Sequence, residues 1–240
     1  MTPRAALRER FWEGFPDLCR VPDELRSSLA ASWLHAAQME HASIASFGQL
    51  ALQLLGLGAP PELVEQAHIA ALDEIEHARI CFALASAYGG ERYGPGPLDA
   101  LTGGFSSSLE AVVCANVEEG CVGETLAALE AEEAARRARD PVVRAALEAI
   151  AFDEEQHAQL GWSVWGWALR VAPDVRSVSD VAFERAIVST QAGMPDDAKG
   201  AELEPHGRLT QSSRRRLALR NIEDVLIPTR NRVLDERPAR

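Results

Sequence analysis

Two stretches of this chain carry the same chemistry at the same spacing: Asp73-Glu74-Ile75-Glu76-His77 and Asp153-Glu154-Glu155-Gln156-His157. Each reads D-E-x-x-H, and each glutamate lies thirteen residues beyond a proline, Pro61 in one case and Pro141 in the other. Residues three apart share a helix face. Each stretch therefore offers one carboxylate and one imidazole to a single point, and two such helices facing each other supply two of each. Asp73 and Asp153 each precede a histidine by four residues. A metal-binding histidine commonly donates its other ring nitrogen to a carboxylate, so these aspartates are expected to orient the imidazoles, reaching across to the opposite helix.

One glutamate from each of two further helices would complete such a site. Glu40 is the only acid between Glu24 and Glu62, and it sits within the apolar stripe of Trp33, Ala37, Ile44, Phe47 and Ala51. A carboxylate there is costly to bury unless it meets a cation or a proton. The other helix offers Glu110, Glu118, Glu119, Glu124 and Glu130. Glu40 precedes Pro61 by 21 residues, while Glu119 precedes Pro141 by 22 and Glu124 precedes it by 17. Register therefore selects Glu119, with Glu124 in reserve. The expected metal ligands are Glu40, Glu74, His77, Glu119, Glu154 and His157. Four carboxylates and two neutral imidazoles suit a pair of iron ions, or a manganese and an iron, sitting about 3.5–4 Å apart.

The elements that must position these residues are helices, because the apolar residues recur at helical rather than strand spacing. The sequence predicts helices over 23–55, from the prolines at 60 and 61 to about 88, over 106–139 and over 141–171. Proline is tolerated in a first helical turn, and glycine marks an end. The segment 91–104 is rich in glycine and proline and reads as a crossover loop long enough to span the helices. Beyond it a short helix is expected over 177–190, then a loop over 193–207, then a basic helix from about 210 that Pro228 interrupts. The organisation is thus an N-terminal segment (1–24), an all-α four-helix bundle (25–171), and a C-terminal helical extension packed on that bundle (172–240).

Over about 25–170 the chain resembles the ferritin-like di-iron carboxylate superfamily, through Glu40, Glu74-x-x-His77, Glu119 and Glu154-x-x-His157 in that order. Such bundles carry one Glu from each of two helices and a Glu-x-x-His from each of the other two. The stretches MEHASIASF, DEIEHARICFALASAYGG and EEGCVGETLAALEA, and the HGRL with its arginine-rich helix, look like a set of uncharacterised bacterial ferritin-like proteins. The resemblance implies O2 or peroxide chemistry at two metals, hence an oxidase or oxygenase acting on a small organic substrate. The alternatives are a ferroxidase or peroxide-detoxifying iron handler, and a bundle whose metals are only structural. The chain has no C-x-x-C pair, so electrons would come from a separate reductase, the substrate or added iron. About 70 residues follow the fourth helix, which weakens a cage assembly and leaves room for a homodimer.

Composition sets further bounds. The 240 residues carry 24 Lys+Arg against 36 Asp+Glu, a net charge of −12, and 47% are hydrophobic. That suits a chain able to bury a core, and the acidic balance argues against non-specific nucleic-acid binding. The charge is uneven: residues 206–240 hold nine arginines and four acids. This tail either packs its apolar side on the bundle or presents a surface to an acidic partner, and it leaves nucleic acid open there. The four cysteines read as reduced thiols, no signal peptide or membrane span is evident, and a cytoplasmic setting is expected. His35, His41 and His68 read as surface, boundary or core residues rather than ligands. Cys81, one turn beyond His77, could line a pocket or fill the core. Gly120, Gly123 and Gly161 could frame a cavity or allow close helix packing. The tryptophans at 33, 162, 165 and 167 read as packing, with electron transfer as the alternative.

Overall fold

Proline opens two of the long helices, and the residues around it explain why each begins where it does. In the computed structural model, which describes residues 16–98, 108–191 and 200–235, helix α1 spans Asp23–Gly56 and α2 spans Pro61–Gly89. Helix α3 spans Leu109–Asn116; the chain continues without a break through a π-helical stretch, Val117–Gly123, into α4, Glu124–Arg137. Helix α5 spans Pro141–Val171. Pro141 needs no amide partner in the first turn, and Asp140 caps the amides behind it, accepting from the N–H of Val142 at 2.8 Å. Ser108 caps α3 through the Ala111 N–H. At the far end of α2, Gly90 takes a φ of 76°, the left-handed conformation that closes a helix.

Among the described residues there are helices, turns and loops and no strand. Helix α1 lies along α2, α4 lies along α5, and α2 faces α5. The long helices are held by two apolar clusters. The first gathers Trp33, Leu84, Tyr88, Val143 and Leu147, and the second gathers Phe47, Leu54, Val117, Leu160 and Trp165. Following the chain through them gives the directions. Helix α1 runs from the first cluster to the second and α2 runs back. The α3–α4 rod again runs from the second to the first, and α5 returns. Consecutive helices α2 and α3 are therefore parallel, and the chain between Gly89 and Leu109 must pass from one end of the rods to the other. The crossover expected over 91–104 falls within this connection, and its part beyond residue 98 lies outside the described residues.

The charged residues of the repeat fall in the layer between the two clusters. On α2 they separate Ala70 of the second cluster from Ala78 of the first, and on α5 they separate Ile150 from Leu160. Close approach of the rods is fixed at Gly161. A Cβ there would stand 2.4 Å from the carbonyl carbon of Gly120, so no larger residue fits. Asn116 crosses the same contact, its amide donating to the Gly161 carbonyl at 2.8 Å. Gly120 and Gly161 thus serve helix packing.

The C-terminal segment continues the fold. Helix α6 spans Arg176–Gln191, α7 Gly200–Leu203, α8 Gln211–Asn221 and α9 Ile227–Asp235. Phe183 of α6, with Ala218, Ile222 and Leu226, joins the second cluster, and Leu203 joins the first. The loop expected over 193–207 is corrected in its second half, which forms α7 and a 3-10 turn, Glu204–His206; residues 192–199 lie outside the described residues. Pro228 does not break its helix. A π-helical turn, Ile222–Leu226, precedes it and takes up the misfit of a ring that clashes with the turn before it. The residues before 16 and after 235, parts of the expected N-terminal segment and C-terminal extension, also lie outside the described residues. No helix among the described residues is long and apolar enough to cross a membrane.

Candidate metal centre

Helical spacing brings the paired residues of each repeat together. The Nδ1 atom of His77 lies 3.7 Å from Oε2 of Glu74, and that of His157 lies 3.0 Å from Oε2 of Glu154. The two helices then interlock. His77 Nδ1 is 3.4 Å from Oε1 of Glu154, and His157 Nδ1 is 3.3 Å from Oε1 of Glu74. Each imidazole turns its other nitrogen outward to the opposite helix: His77 Nε2 lies 3.2 Å from Asp153 and His157 Nε2 lies 3.5 Å from Asp73. All six of these residues are buried. Asp153 is thus within hydrogen-bond distance of the imidazole on the opposite helix, and Asp73 approaches the other imidazole at longer range.

Two glutamates from the flanking helices close the arrangement. Glu40 of α1 approaches His77 Nδ1 at 3.7 Å. Two groups of four result, Glu40 with Glu74, His77 and Glu154, and Glu74 with Glu124, Glu154 and His157, each with its donor atoms within 4.8 Å of one another. Glu74 and Glu154 belong to both.

Glu119 stands outside. Its side chain is exposed, and Glu124 occupies the place that register assigned to it. Two physical facts explain the difference. Helix α1 runs sixteen residues past Glu40 to Gly56, whereas α4 ends thirteen residues past Glu124 at Arg137, so the two glutamates stand at unequal offsets from the ends of their helices. The π-helical turn Val117–Gly123 also rotates the rod just before the site. The Glu124 amide bonds to the Glu119 carbonyl, five residues back rather than four.

The donor set fits metal ions. Donors around an ion at about 2.0–2.2 Å stand roughly 3 Å apart, close to the separations here. Oε2 of Glu74 and Nδ1 of His77 are buried without a hydrogen-bond partner, both on the side where the groups converge. Without a cation, protons carry the compensating charge. Burial pushes the Glu40 carboxyl up to about 7, and burial with the neighbouring Glu154 raises Glu124 well above the usual carboxylate range. Burial also opposes charge on Glu154, but hydrogen bonds from His157 and His77 win and hold it below that range. Burial would likewise lower His157, yet Asp73, Glu154 and Glu74 carry it to about 11, and a similar set raises His77. A cluster that must otherwise be filled with protons is suited to divalent cations.

The remaining sequence candidates fall away from the centre. His35 and His68 are exposed and His41 is half-buried outside the groups. Trp162 stacks on Trp165 at 5.8 Å, and Trp165 packs on Phe183, all as wall of the second cluster. The four cysteines are free. Cys81 both belongs to the first cluster and lines a cavity.

That cavity, of about 350 Å³, reaches the centre: Glu40 and Glu154 are in its wall, with Trp33, Leu126 and Ile150. Glu40, 19% of whose side chain stays accessible, lies in the wall of this cavity. Arg208 and Arg214 in its wall were not foreseen as part of a site, and Glu130 was foreseen only as a possible metal ligand. Glu130 was only one acid among several, and the arginines belong to a basic run that reads as a solvated face. A search of known protein families, curated proteins and solved structures found no match to this chain.

Proposed function

We propose that this chain is a ferritin-like carboxylate protein that holds two metal ions, iron or manganese with iron, and uses O2 to oxidise a small organic molecule. The observation that carries this reading is the sharing of Glu74 and Glu154 between the two donor groups. Two carboxylates common to two four-residue sets suit a pair of ions a few ångströms apart better than one. Glu40 and His77 would complete one ion's set, and Glu124 and His157 the other's. The parallel α2 and α3–α4 rods, joined by a long connection, are the arrangement that the ferritin-like resemblance implies.

Such a metal pair, when bound, supplies electrons to O2 and a Lewis-acidic surface for the reduced oxygen. The protein's own part follows from its residues. Asp153 holds the His77 imidazole by its outer nitrogen at 3.2 Å and Asp73 lies 3.5 Å from that of His157, so both Nδ1 atoms face the converging carboxylates. Phe47 packs on His157 with ring centres 4.9 Å apart and keeps water from that flank. The cavity on the Glu40 and Glu154 side gives an organic molecule a place beside the metals. A ferroxidase needs no such space, since its substrate is the iron itself.

The test is to load the protein anaerobically with Fe2+, mix it with O2 and follow absorbance by stopped flow. A transient that decays with iron remaining bound at about two per chain supports the proposal. Continued iron uptake into a mineral would instead make iron the substrate. Bound iron that O2 never oxidises would reduce the site to a structural one.

A further inference from the structure

Resting on the reading of the cluster as a metal centre only for the direction in which the ligand points, we infer that the adjoining cavity binds a small carboxylate with an apolar body. Arg208 and Arg214 would hold its charged end, with the body extending toward Glu40 and Glu154.

The cavity walls supply the apolar part. Trp33, Leu126, Ala131, Leu147 and Ile150 line it, and about 350 Å³ stands at the small end of the roughly 300–1,000 Å³ typical of small-molecule pockets. Into this apolar space the tail inserts two guanidinium groups. Arg208 is set by its neighbours: its Nε donates to Ser32 Oγ at 2.9 Å, and its plane lies 4.8 Å over the Trp33 ring. The backbone before it is equally fixed. Gly207 has a φ of 80°, and a Cβ there would meet Val143 at 2.7 Å and Leu147 at 2.8 Å, so the chain can pass this point only as glycine. These contacts use Nε of Arg208, and among the described residues no carboxylate lies within ion-pair distance of its other two nitrogens.

Charge then selects the ligand. Arg214 faces Glu130 at 3.4 Å, but its buried Nε lacks a well-formed hydrogen bond. Arg214 is paired with Glu130, and Glu40 lies against His77 at 3.7 Å, so among the described residues Arg208 remains the one guanidinium of this cavity without a carboxylate partner. Burial lowers Arg208 only to about 10, so it stays charged at neutral pH. A single surplus cation with a planar, two-nitrogen face matches a carboxylate, whereas a phosphate monoester brings about −1.5 to −2.

The experiment is calorimetric titration of the metal-free full chain with hexanoate, hexanol and hexyl phosphate. Wild-type protein should bind hexanoate about tenfold more tightly than hexanol, the value of a charge-assisted pair. Arg208→Gln and Arg214→Gln should each erase most of that preference with circular dichroism unchanged, while Arg208→Lys retains part of it. If Arg208→Gln fails to fold, Arg214→Gln decides. Equal binding of acid and alcohol, tighter binding of hexyl phosphate, or a preference that survives both glutamine variants would overturn the inference. Metal uptake is measured separately on the same samples. Lost anion preference with normal metal uptake in wild type defeats this inference alone; absent metal uptake defeats the metal centre and leaves the anion result standing.

Discussion

His77 of α2 turns its Nε2 to Asp153 of α5 at 3.2 Å, and His157 of α5 turns its own to Asp73 of α2. The two halves of the repeat are thus cross-braced: each helix orients the other's imidazole. In the proposed metal centre this arrangement would make the aspartates positioning residues rather than ligands. Asp153→Asn should therefore lower metal affinity by about 10–100-fold, the usual cost of losing such a partner. Chelator competition would measure it, with helical content unchanged. An affinity equal to wild type would remove Asp153 from that role.

The helix-three ligand is open to a paired comparison. Glu124→Ala should reduce binding from two metals per chain toward one, because only one donor group contains Glu124. Glu119→Ala should leave the count as in wild type, since that side chain is exposed. Elemental analysis of the two variants after desalting reads the difference. The opposite pattern would restore the register argument.

The helices were legible in the sequence because their signals are local. Pro61 and Pro141 mark starts, Gly90 marks an end, and the D-E-x-x-H repeat places its four side chains from helical spacing alone. What the sequence hid depends on geometry between elements. The π-helical turn before Glu124 carries no residue pattern that distinguishes it from an α-helix, so counting from prolines pointed to Glu119. Arg208 and Arg214 sit in an arginine run whose residues look alike. Which of them face inward is decided by Gly207 meeting Val143 and Leu147, contacts more than fifty residues away in sequence.

Gly161 tests the packing that holds the centre together. Gly161→Ala would place a methyl group 2.4 Å from the Gly120 carbonyl carbon and 2.6 Å from its oxygen. Both are backbone atoms, so the rods must part. The expected loss is near the upper end of the about 1–3 kcal/mol seen for overpacking, read as a lowered urea midpoint. A stability equal to wild type would show that the two helices slide apart at no cost.

Glu204 should give the C-terminal segment a dependence on acid. Burial alone would raise its carboxyl, but Ser213, Thr210 and Arg137 donate to it and bring it down to about 2 from 4.5. A lowered value in the folded state means stability that is complete above pH 4.5 and lost as pH falls toward 2. Glu204→Gln should therefore unfold at lower urea than wild type at pH 7, and the gap should close between pH 4.5 and pH 2. A gap independent of pH would place the effect in packing instead.

The most direct measurement of the central claim is anaerobic titration of the metal-free protein with Fe2+, ending in elemental analysis. The cluster predicts a break at two ions per chain, with uptake falling at both positions in Glu74→Ala because that carboxylate belongs to both groups. Uptake must also release protons, since the acid-loaded carboxyls and imidazoles give them up to the metal, and binding should weaken as pH is lowered. No uptake by the wild-type chain, or uptake that Glu74→Ala leaves unchanged, would contradict the account.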